Sequence, residues 1–161
     1  MRKAILNPIA MFVIGLLLGA ISRLLDIYTQ NLGEIFSQMA IWILLGTLIS
    51  IYSSTKKQAM RNILPFCLGM LITYYAVAVL TKGVYSAGYI IGWTVFALCS
   101  PILACFAWMA KEKGIFPKVI CCGIIAVSVA SSILLFGRLR VYDFIINGLL
   151  GYFLFFKRIK R

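Results

Sequence analysis

Residues 8–26 read PIAMFVIGLLLGAISRLLD, and two features of that stretch decide what kind of molecule the chain forms. Its length is that of a spanning helix, since a hydrocarbon core about 30 Å thick takes about 20 apolar residues. Its last turn carries Arg23 and Asp26, opposite charges one helical turn apart in a segment otherwise free of charge. Projected at about 100° per residue, Gly15, Gly19, Ser22, Arg23 and Asp26 fall within a sector about 100° wide. Ile14, Leu17, Ile21 and Leu24 occupy the remainder. Small residues at i and i+4 admit a neighbouring helix backbone, so the charged face is expected to pack and the leucines to meet lipid.

The rest of the chain extends the pattern. Of 161 residues, 63% are hydrophobic and 12% charged, with a mean hydropathy of +1.01. Soluble domains average about 45–50% apolar and about 25% charged residues. Apolar stretches of spanning length fall at about 6–26, 35–54, 63–81, 88–110, 118–136 and 141–156. The expected fold is all-α: one transmembrane domain over residues 1–161, an integral membrane bundle of six transmembrane helices with short loops. The runs are continuous rather than alternating, which argues against a β-barrel. The basic start before the first apolar run resembles a secretory signal. No small-x-small cleavage site follows, so the segment reads as a retained first helix.

Charge placement sets an expected orientation. Arg2 and Lys3, then Lys56, Lys57 and Arg61, then Lys111, Lys113 and Lys118, then Lys157, Arg158, Lys160 and Arg161 all fall on one side of six alternating spans. Lys82, Arg138 and Arg140 fall on the other, with Arg23, Asp26, Glu34 and Asp143 at or near it. The positive-inside rule then puts both termini in the cytoplasm and the chain in the plasma membrane. A net charge of +12 raises the possibility of nucleic acid. The basic residues form short clusters between spans, without a basic face or a nucleic-acid motif, so that partner is excluded.

The chain has no histidine, and its five cysteines lie in apolar segments without a Cys-x-x-Cys pair. This removes the usual zinc, haem and Cys–His arrangements, and neither cofactor nor metal is expected. The cysteines read as small apolar core residues, with Cys121 and Cys122 pointing to different sides of a helix. Acid–base chemistry within the membrane reduces to Asp26 and Asp143 with tyrosines and cysteines. An intramembrane hydrolase would need those two aspartates to meet, and each has an arginine nearby to explain it.

The last apolar segment mirrors the first. In RLRVYDFIINGLLG, residues 138–151, Arg140, Asp143, Asn147 and Gly151 share a narrow sector. Both end segments thus place an Arg-x-x-Asp pair at the external end, where Arg23 with Asp143, or Arg140 with Asp26, would bridge the first and sixth helices. Charges in lipid are expensive and usually face a bundle interior or a wet cavity. Two readings remain open. The pairs line an external mouth leading to a less polar pocket, or they are clamps that reach water by snorkelling.

Further candidates for a ligand site or gate are Asn147, Tyr74 and Trp42, the last about 10 Å inside its span. Gly15, Gly19 and Gly151 are candidates for helix packing. So are Gly69 with Thr73, and Ser128 with Ser131 and Ser132. Pro65 and Pro101 are placed to kink their helices, and Ser100 to satisfy a carbonyl freed by Pro101. The basic cytoplasmic loops KKQAMRN and KEKGIFPK suit anionic membrane lipid or a cytosolic protein partner.

Through its size, six spans and the stretch GLLLGAISRLLD, the chain resembles the substrate-binding S-components of energy-coupling-factor transporters. Those proteins use an Ala-x-x-x-Ala face on the first helix to meet a coupling subunit; here Gly15-x-x-x-Gly19 stands in that place. The chain also looks like small multi-pass membrane proteins of unknown function from Gram-positive bacteria, through ISRLLDI, WILLGTLISIYSSTKK and GMLITYY. The first resemblance implies binding or transport of a small solute or lipid-like ligand from the external side. The competing class is a non-transporting subunit, an immunity, assembly or regulatory partner. A transporter should hold a cavity of about 300 Å³ or more with converging polar groups, whereas a non-transporting subunit should be solid between its first and sixth helices.

Overall fold

Asn7 starts the first helix. Its side chain accepts from the Ala10 N–H at 2.8 Å, and Pro8 takes the first helical position, where a missing N–H costs nothing. In the computed structural model, which describes residues 6–29, 33, 35–36, 38–81, 87–157 and 159, this helix, α1, runs Pro8–Tyr28. Arg2, Lys3, Glu34, Lys82, Arg158, Lys160 and Arg161 lie outside the described residues. After α1 come α2 (Met39–Tyr52), α3 (Lys56–Leu80), α4 (Ala87–Met109), α5 (Ile115–Phe136) and α6 (Val141–Gly151). α6 continues through a π-type turn over Tyr152–Phe156. The described residues contain no strand.

Among the described residues four of these six helices, α1, α3, α4 and α5, are long and apolar enough to cross a membrane. The other two are shorter. α2 has 14 residues. It starts at Met39 and ends at Tyr52, with the Ser53 N–H donating to the Ser50 carbonyl and the Ser50 and Ser53 hydroxyls donating back to the Gly46 and Ile49 carbonyls at 2.7 and 2.8 Å. Thr55 then caps α3 by accepting from the Gln58 N–H at 3.1 Å. α5 stops at Gly137, whose φ of 69° supplies a left-handed cap and sends its N–H to the Ile133 carbonyl. α6 begins a few residues later, so α5 and α6 form an antiparallel hairpin.

α1 lies against α3, and the glycines explain why. A Cβ on Gly15 would stand 2.2 Å from the Phe66 carbonyl oxygen, and one on Gly19 would stand 2.2 Å from that of Met70. From the other side, a Cβ on Gly69 would meet the Phe12 carbonyl oxygen at 2.6 Å. Thr73 Oγ1 donates across the seam to the Leu16 carbonyl at 2.7 Å. Backbones therefore touch along this pair, and Leu17, Ile21 and Leu24 face outward. α3 packs on α4 as well, while α2 sits centrally against α3, α4, α5 and α6. Gly151, also expected at a close crossing, has room: a Cβ there would meet only Ile125 Cδ1, at 3.9 Å.

The lysine-rich end of the bundle is stitched by side chains on backbone carbonyls. Gln58 Nε2 donates to the Leu6 carbonyl at 2.7 Å, and Trp108 Nε1 to that of Ser53 at 3.0 Å. Lys111 Nζ donates to the Leu154 and Lys157 carbonyls, both at 2.8 Å, so the α4–α5 connection holds the end of α6. Lys111→Met is expected to lower stability by about 1.5–3 kcal/mol, the range for hydrogen bonds to a charged group, read by thermal unfolding in detergent. A lysine outside these contacts, such as Lys57, should change it by less than about 0.5 kcal/mol when replaced the same way.

Candidate functional site

At the end opposite the lysines, the α5–α6 hairpin encloses a polar cluster. Asp143 is 1% exposed. It sits in the first turn of α6, where its Oδ2 accepts the Arg140 backbone N–H at 2.7 Å and closes the helix N-terminus. Ser132, on the facing helix α5, donates to Asp143 Oδ1 at 3.0 Å. Gln38, just before α2 and fully buried, completes the set. With its amide oriented to satisfy both neighbours, its nitrogen donates to Asp143 Oδ1 at 2.6 Å and its oxygen accepts from Arg140 Nη2 at 3.1 Å. Arg140 also lies over the Tyr142 ring, 4.9 Å from its centre. One turn deeper, Asn147 Nδ2 donates to the Asp143 carbonyl at 2.8 Å.

The second charged pair is separate. Arg23 Nη1 donates to Asp26 Oδ2 at 2.5 Å along its own helix, and its guanidinium lies 5.6 Å from the centre of the Tyr74 ring on α3. Arg23 is buried, as the helical projection of α1 requires, while Asp26 remains exposed. Neither bridge expected between α1 and α6, Arg23 to Asp143 or Arg140 to Asp26, is among the contacts of the described residues. The reason lies in the packing order. The glycine face seats α1 on α3, and α6 packs on α2 and α5 instead. Among the described residues the two Arg-x-x-Asp pairs share an end of the bundle and form no ion pair with each other.

A separate opening lies among α2, α3, α4 and α5. It is a cavity of about 140 Å³ walled almost entirely by apolar atoms. Trp42 closes one side, buried against Phe36 and Phe66, with its Nε1 donating to the Phe36 carbonyl at 2.8 Å. It is the one sequence-selected ligand candidate that lines this space; Arg23, Asp26, Tyr74, Arg140, Asp143 and Asn147 do not. Space exists because the walls are small: Gly46, Thr47 and Ser50 on α2, and Ala97, Ser100 and Ala104 on α4. Ser100 donates to the Ala97 carbonyl at 2.6 Å, the acceptor left without its N–H by Pro101, as the sequence led one to expect. Its hydroxyl is thereby turned to its own helix.

On its open side the cavity is bounded by Leu103 and Phe106 of α4 and Val127 of α5, at 48%, 45% and 58% exposure. These are the exposed members of the wall, so the cavity reaches the surface of the bundle along α4 and α5. The cysteines divide across this architecture. Cys67 lines the cavity and Cys121 is buried, whereas Cys99 and Cys122 are exposed on the outer faces of α4 and α5, so not all are core residues. Among the described residues no group of histidine, cysteine or acidic side chains is placed to hold a metal ion.

Sequence reasoning missed the cavity. Ala97, Ser100, Ala104 and Ala107 recur at helical spacing on α4, a visible signal, but small residues at that spacing mark close helix packing as readily as a void. Comparison with protein-family models, curated proteins and solved structures finds no match to this chain, so its site is read from its own geometry.

Proposed function

We propose that this chain is a plasma-membrane protein that crosses the bilayer six times with both termini in the cytoplasm, and that it binds a lipid-like ligand in the cavity among α2–α5. Orientation is supported by charge. Lys56, Lys57, Arg61, Lys111, Lys113, Lys118 and Lys157 gather at one end, against Arg23, Arg138 and Arg140 at the other. The shorter α2 and α6 cross through local thinning of the bilayer and snorkelling at their basic flanks.

The observation that carries the ligand reading is the apolar cavity, which reaches the surface of the bundle along α4 and α5. A polar solute would leave its hydrogen-bonding groups unmet there, whereas a hydrocarbon chain leaves none. A closed cavity of about 150 Å³ with aliphatic and aromatic walls stays dry and takes apolar guests. The space falls short of the 300 Å³ or more, with converging polar groups, that suits a small polar solute. An S-component-like role in uptake is thus supported only in its lipid-like form, with entry from the bilayer. A second reading, a subunit without a ligand that acts by packing on a partner, is favoured by the local ties of the two clusters, Arg23 to Asp26 within α1 and Asp143 to Ser132 and the Arg140 N–H within the α5–α6 hairpin.

Trp42 provides the test. In a variant with Trp93→Phe and Trp108→Phe, the remaining indole is 7% exposed and lines the cavity. Lipids with brominated acyl chains quench tryptophan on close approach. Strong quenching of Trp42 in vesicles of such lipids is expected, and Ala104→Leu, which fills the cavity, should reduce it at least about threefold while adding buried volume of only a few methylenes. An unquenched Trp42 would remove the ligand reading and leave the packing subunit.

A further inference from the structure

We infer that the ligand is an anionic glycerophospholipid, with its headgroup at Lys113 and Lys118 and one acyl chain in the seam between α4 and α5; this rests on the reading of the cavity given above. The cavity wall along α4 runs from Phe96 to Ala107. That is about 16 Å at 1.5 Å per residue, an elongated shape suited to a chain rather than a ring. The two helices that flank the mouth are joined at the lysine-rich end by residues 110–114, so this connection lies at the foot of the seam.

Charges at that foot are unequally engaged. Lys111 is committed to the Leu154 and Lys157 carbonyls. Lys56 pairs with Glu112 at 3.4 Å and lies 5.3 Å from the centre of the Trp108 ring, which neutralises the one acid of the connection. Lys113 and Lys118 are exposed and make no ion pair among the described residues. Between them Ile115 and Phe116 are 81% and 57% exposed, apolar anchors at headgroup depth. An apolar slot whose α4 wall reaches Ala107, a few residues before the connection that carries Lys113, is complementary to a lipid with a hydrocarbon tail and a negative head. A zwitterionic lipid matches only the slot.

The experiment compares quenching of the single-Trp42 variant by brominated phosphatidylglycerol and by brominated phosphatidylcholine, each titrated into vesicles of unbrominated phosphatidylcholine. One lysine near a membrane surface favours an anionic lipid about fivefold, so two give a preference of about tenfold to thirtyfold. Lys113→Gln with Lys118→Gln should bring the two lipids to within about twofold and leave quenching by phosphatidylcholine unchanged. Raising NaCl to about 0.5 M should weaken the preference in the parent but not in the double variant. Equal quenching by both lipids in the parent would overturn the headgroup assignment and leave the cavity reading standing. Absence of quenching by either would overturn both. A preference that survives the lysine changes would place the headgroup elsewhere and overturn the assignment.

Discussion

Gly19→Leu is expected to separate α1 from the rest of the bundle, at a cost of about 3 kcal/mol or more in stability. A Cβ at this position meets three atoms at once: the Met70 carbonyl oxygen at 2.2 Å, its carbonyl carbon at 2.9 Å and Thr73 Oγ1 at 2.4 Å. Two of these belong to the α3 backbone, which cannot swing aside as a side-chain tip would. The helices must move apart, and the Thr73 hydrogen bond to the Leu16 carbonyl goes with them. Among the described helices α1 has no other extensive neighbour to compensate, because its packing is concentrated on α3. Thermal unfolding in detergent, with far-UV circular dichroism for helix content, should show a large fall in midpoint for Gly19→Leu and a smaller one for Gly19→Ala. Gly151→Ala is the matched control. Space is available there, and alanine improves helix propensity by about 1 kcal/mol, so its midpoint should hold or rise. Equal losses at both positions would show that the α1–α3 contact does not depend on bare backbone at Gly19.

How much of this was legible in the sequence follows from the kind of information each feature needs. The helices were legible because each is a property of a continuous stretch, an apolar run of spanning length; the caps at Asn7 and Thr55 and the stop at Gly137 come from the structure. The inward face of α1 was legible for the same reason at Gly15, Gly19, Ser22 and Arg23, which are buried, and at Leu17, Ile21 and Leu24, which are exposed. But Asp26, expected on the packed face, is exposed, and Ile14, expected to meet lipid, packs against the core. A helical projection, however, says which face packs and not on what. A pair between Arg23 and Asp143 requires the first and last helices to meet. Their actual neighbours are set by bundle order, which depends on contacts such as Gly69 against Phe12 that are distant in the chain. Gln38 escaped notice because it lies between helices, where no periodicity marks it, and its partner Asp143 is far along the sequence. The cavity was hardest to see, because it is made by what the small residues of α2 and α4 fail to fill.

Replacing Asp143 should be the more damaging of the two polar changes at that end of the bundle. Asp143→Leu removes the acceptor of the Arg140 backbone N–H, of Ser132 Oγ and of the Gln38 amide in one step. Each donor is buried or nearly so, and breaking a buried charged network by deleting one member costs about 3–5 kcal/mol. Asp143→Asn keeps an acceptor for two of the three and should cost about 1–2 kcal/mol, the usual loss when a hydrogen bond to a charged group becomes neutral. By contrast Arg23→Gln disturbs a pair whose acid is exposed on its own helix, and about 1 kcal/mol or less is expected. A double-mutant cycle separates the two-cluster arrangement from a single α1–α6 gate. Asp143→Asn combined with Arg140→Gln should show a coupling of about 0.5–3 kcal/mol, because both side chains meet at the Gln38 amide. Asp143→Asn combined with Arg23→Gln should be additive within about 0.5 kcal/mol, because the two residues belong to different packing neighbourhoods. Coupling of Arg23 to Asp143 as strong as that of Arg140 would mean that α1 and α6 share a charge network after all, and a polar mouth between them would then displace the sideways entrance between α4 and α5.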